Sequence, residues 1–99
     1  MILKPDLEAR FHEAMLDIYQ QGKAIGYHAN DFKRMVIGLG GLETARRLLL
    51  PGKIHDGFLK LLELNALHIS VEALVLDERW PEGMFTKDEL KEARKRLGR

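Results

Sequence analysis

Cysteine is absent from this 99-residue chain, which excludes structural disulfides, thiol nucleophiles and cysteine-ligated zinc or iron-sulfur centres. No run approaches the roughly 18 apolar residues that span a bilayer. The N-terminal MILKPDLEARF also lacks the basic head and apolar middle of a signal peptide, because Pro5, Asp6 and Glu8 interrupt it. The expectation is a soluble, cytoplasmic protein without membrane contact. An excess of one charge is missing too: 16 basic residues face 15 acidic ones, for a formal charge of +1. No global field is available to hold a polyanion, so any nucleic-acid contact needs a local patch.

What is present is globular. With 45% apolar and 31% charged residues, the composition lies well away from disorder. A single domain over residues 1–99, burying roughly 60 to 65% of its unfolded surface, is expected.

Apolar spacing predicts an all-α bundle of about six short helices, including a helix-turn-helix-like hairpin. Leu7, Phe11, Ala14, Met15, Ile18 and Ile25 recur on one side of a helix that begins near Pro5 or Asp6. Gly22 and Gly26 bracket its end. Asn30 is placed to cap a second helix turning in Phe32, Met35, Val36 and Leu39, which Gly40-Gly41 stops. Leu42, Ala45, Leu48 and Leu49 form the inner face of a third, broken by Pro51-Gly52. Ile54, Phe58, Leu61, Leu62 and Leu64 mark a fourth, with Asp56 as its cap. Ser70 caps a fifth over VEALVL; a strand there would have no partner for its backbone groups. Thr86 and Glu89 make a T-x-x-E capping box for the last helix, with Phe85 and Leu90 placed as its staple. Leu90, Ala93 and Leu97 face inward, leaving Lys91, Glu92, Lys95, Arg96 and Arg99 to water.

Catalytic and cofactor constellations do not emerge. The glycines at 38, 40 and 41 lack the strand and the Lys-Ser or Lys-Thr of a P-loop. His12, His28, His55 and His68 include no pair at the spacing that aims two imidazoles at one ion. The pairs His12-Glu13 and His55-Asp56 are sequence neighbours, which point in different directions on a helix. No enzyme, cofactor, metal site or catalytic residue is therefore expected. An enzyme would need a concave pocket gathering His28, His55 or Tyr27 with a carboxylate. Read as DNA recognition, the helix Leu42 to Leu50 would offer Thr44, Arg46 and Arg47 to a major groove, although Glu43 sits at the end that meets phosphate. Trp80, beside Pro81 in a loop, is either a lid on the core or a partner anchor.

The blocks FHxAMxxIY, GYxAxxFxxMV, GGLETARRLL, DGFxxLxEL, SVEALVL and FTxxELxxARxRL, in that order from Phe11 to Leu97, resemble a recurrent small bacterial family with no assigned chemistry. The chain departs from that pattern near Leu62 and His68, where the family carries an aromatic and an acidic residue. The resemblance implies a bacterial cytoplasmic protein and transfers no site residue. The leading expectation is a non-catalytic module that binds another macromolecule, foremost a protein, through Trp80, Leu50 and Leu67. The alternative is a DNA-binding helix-turn-helix protein using Thr44, Arg46 and Arg47. Symmetric self-association into a homodimer remains compatible with both.

Overall fold

A computed structural model describes residues 5–99. Among them run α1 (Pro5–Ala24), α2 (Asn30–Leu39), α3 (Gly41–Leu48), α4 (Asp56–Glu63), a 3₁₀ turn (Leu67–Ile69), α5 (Val71–Val75) and α6 (Lys87–Leu97). None of these residues is in a strand, and VEALV is the short helix α5. Phe11, Met15, Tyr19 and Gly22, at steps of four, four and three, make the buried stripe of α1. That stripe receives α2 and α3, while α5 packs on α6 and also touches α1 and α3, joining the two halves. The Cα radius of gyration, 12.7 Å, matches the value of about 13 Å expected for 100 residues in one domain.

Phe11 stands at the centre of the main core. Its ring meets Trp80 edge-on at 5.1 Å and Phe85 at 5.3 Å, arrangements that suit the aromatic quadrupole. Trp80 is only 8% exposed. Its indole N–H donates to the Leu74 carbonyl at 3.0 Å, and the Arg79 guanidinium lies over its ring. The anchor reading of Trp80 is therefore corrected: the residue closes the core, because its one polar atom finds a partner inside. Leu67 is half-buried against a smaller cluster of Leu61, Ala66 and Ile69. Leu50 alone of the three expected anchors is well exposed.

Helix ends follow local chemistry, with two differences from the sequence reading. Thr86 and Glu89 exchange side-chain and backbone hydrogen bonds at 3.0 and 2.8 Å, completing the capping box. Leu90 packs against the cluster that holds Phe85. Ser70 Oγ accepts from Ala73 N–H at the start of α5. Asn30, however, is the first residue of α2 and not its cap; its side chain accepts the Tyr19 hydroxyl at 3.1 Å. Asp56 likewise opens α4, and His55 caps it, with Nδ1 accepting Phe58 N–H at 3.1 Å. Gly40 takes φ +87° between α2 and α3, where an L side chain is strained. Gly41 opens α3 against α1 so closely that a Cβ there would lie 2.6 Å from His12 Cα.

Several residues read as inward are exposed: Ile25, beyond the end of α1, together with Leu39, Ile54, Leu62 and Leu64. Apolar periodicity marks a wider stripe than six short helices can cover.

Candidate functional site

The least expected feature is a buried ionic hub. Glu72, on α5, is fully buried, and the Arg96 side chain reaching it from α6 is 1% exposed. Arginine carries five N–H donors, and here each has an acceptor. Nε donates to Glu92 at 2.8 Å. One terminal nitrogen serves Glu72 Oε2 at 2.9 Å and the Leu48 carbonyl at 2.6 Å, and the other serves the carbonyls of Leu50 at 2.8 Å and Lys53 at 3.1 Å. The α3–α4 connection is thus tied to α5 and α6 through one guanidinium. The expectation that Glu92 and Arg96 face water is corrected. Their i, i+4 spacing is the same on a wet or a buried face, so spacing alone does not separate the two.

Glu72 Oε2 also faces His55 Nε2 at 3.0 Å. Since His55 Nδ1 accepts the Phe58 amide, the ring proton belongs on Nε2 and is donated to the carboxylate. Burial raises the Glu72 carboxyl, but the His55 hydrogen bond and the charge His55 supplies on protonation, with the Arg96 guanidinium, outweigh it. The carboxyl is held below its ordinary range. Glu72 Oε1 and Thr44 Oγ1 are buried without a hydrogen-bond partner among the described residues.

Beside this hub lies an open recess of 280 Å³ between the end of α1, α2 and α4. Ile18, Phe32, Met35, Leu48, Leu61 and Val71 give it apolar walls; Tyr27, Asp31, His55 and Asp56 supply its polar edge. Gly57 lets the wall close, because a Cβ there would come within 3.3 Å of the Tyr27 hydroxyl and 3.2 Å of His55 Nδ1. Burial, then the charges of Asp56 and Asp31, raise the Tyr27 phenol above its ordinary pKa. An adjoining shallow groove shares Tyr27 and Asp56 and continues over Leu59 and Leu62, both about half exposed.

The recess does gather His55 and Tyr27 with carboxylates, as an active site would require. The nitrogens of His55 are nonetheless committed. One His55 nitrogen caps α4 and the other serves Glu72, so neither is left for a substrate proton. A phenol with a raised pKa is a poor base at neutral pH. His28 is exposed and does not line the recess. Among the described residues, no three His, Asp or Glu side chains converge as a metal site.

No protein-family model, curated protein or solved structure matches the chain.

Of the residues expected to meet DNA, Thr44 is fully buried, a correction that follows from α3 packing on both α1 and α2. Arg46 donates to the Met84 carbonyl at 3.2 Å and lies 3.7 Å from Glu89. Arg47 is exposed and pairs with Glu43 at 3.3 Å. The three do not form one free basic face. Sequence reasoning missed Glu72, whose signal was a carboxylate inside the apolar run VEALVL; it named His55 and Tyr27 as alternatives for a pocket and did not bring them together. No helix among the described residues is long and apolar enough to cross a membrane.

Proposed function

We propose that this protein is a non-catalytic helical module that binds another protein, taking an apolar side chain of its partner into the recess between α1, α2 and α4. The observation that carries this reading is an apolar-walled cavity whose imidazole, His55, has both nitrogens engaged: it offers shape and contact but no free imidazole nitrogen. Leu59 and Leu62 extend the apolar surface outward from the same rim, which is how a buried anchor and its surrounding contacts are arranged in protein interfaces. A reducing cytoplasm suits a chain without cysteine.

The test is capture from the native cell with the intact chain and with a Leu59→Ser, Leu62→Ser double variant. Both side chains are exposed, so the variant keeps its melting temperature. A protein held in stoichiometric amount by the parent chain and lost from the variant supports the reading. Equal capture by both overturns it.

A further inference from the structure

The charge around the recess says what should accompany the apolar anchor. Among the described residues, Asp31 and Asp56 are the only formally charged side chains that line it, and no lysine or arginine does. Both carboxylates line the recess together with Tyr27. Asp56 has no ion-pair partner among the described residues. Asp31 pairs with Arg34, but that pair is largely exposed and therefore weak and exchangeable. His55 adds no positive charge while its Nδ1 accepts the Phe58 amide. The recess thus combines walls that favour an apolar group with an edge that repels a carboxylate.

Resting on the docking reading above, we infer that the partner presents a basic amphipathic segment: one apolar side chain enters the recess, and a lysine or arginine beside it meets Asp56 and Asp31. A cavity of about 150 Å³ already accepts benzene, so 280 Å³ holds one aromatic or long aliphatic side chain. On a helix, residues three or four apart share a face, which puts the cation at the acidic edge while the anchor is seated. The next apolar residue along that face rests on Leu59 and Leu62.

Three small probes separate the terms: phenethylammonium, 2-phenylethanol and phenylacetate, titrated into the folded chain and followed by amide shifts at Gly22, Asp31 and Gly57. Phenethylammonium should bind about two- to fivefold more tightly than the alcohol, the gain an exposed ion pair gives, and phenylacetate most weakly. The preference should shrink in salt and vanish in Asp31→Asn, Asp56→Asn. Equal binding of amine and alcohol overturns the cationic partner and leaves the apolar docking site standing. No shift with any of the three overturns both. A further arm uses a helical 15-residue peptide with one phenylalanine flanked by lysines. It should bind about tenfold or more tightly than the amine, because it also covers the ledge of Leu59 and Leu62. If the free amine binds as tightly, the recess is a small-molecule site and the protein partner is wrong.

Discussion

Arg96 and Glu72 hold each other in place, and Arg96 also serves Glu92 and three backbone carbonyls. Removing one partner of a buried pair leaves the other charged and unsolvated, which costs about 3 to 5 kcal/mol, whereas replacing both by apolar groups is often neutral or better. Arg96→Met alone should lower the unfolding free energy by at least that amount in urea titrations, and adding Glu72→Leu should recover the part due to the stranded carboxylate but not the part due to the carbonyls of Leu48, Leu50 and Lys53. Strictly additive losses would show that the pair is not coupled. Acid supplies an independent check. Because the folded carboxyl of Glu72 is held below its ordinary range, its stabilisation is complete above that range and is lost as pH falls through the depressed value. Melting temperatures of the parent chain should drop more steeply below the ordinary carboxylate range than those of Glu72→Gln, and parallel profiles would remove Glu72 from the acid transition. None of this was legible at the residue level, since an isolated Glu in VEALVL acquires its meaning only when Arg96, 24 positions later, is folded against it.

Most element boundaries were legible, because helix ends are local events. The Thr86 box, the Ser70 cap and the Gly40 stop each involve atoms within four residues, and each is present. His55 was missed as a cap because Asp56 beside it is the commoner capping residue; the imidazole prevails where Glu72 fixes its tautomer. Gly41 shows how tertiary approach overrides propensity. Alanine is normally favoured over glycine inside a helix by about 1 kcal/mol, yet its Cβ at position 41 would strike the α1 backbone. Gly41→Ala should therefore destabilise by about 1 to 3 kcal/mol, the range for overpacking. A gain in denaturation midpoint would mean that α3 and α1 part without loss.

For the whole molecule, the all-helical class followed from periodicity, while the choice of which apolar residues stay outside did not. A helical stripe has no knowledge of how many neighbours it will meet, so Leu62 reads like Phe58 and Leu61 until α4 is seen to touch little beyond the 3₁₀ turn, and Ile54 lies before α4 begins. Trp80 went the other way, from loop residue to core closure. Trp80→Ala should cost about 3 to 5 kcal/mol, as expected for emptying a large aromatic site; a fully folded variant that has lost only partner binding would restore Trp80 as an anchor. The guanidinium that gathers the α3–α4 connection also has a bearing on biosynthesis. Its carbonyl partners lie 43 to 48 positions earlier in the chain, so a nascent polypeptide cannot lock that connection until α6 has left the ribosomal tunnel, even though α1, α2 and α3 can already pack on one another.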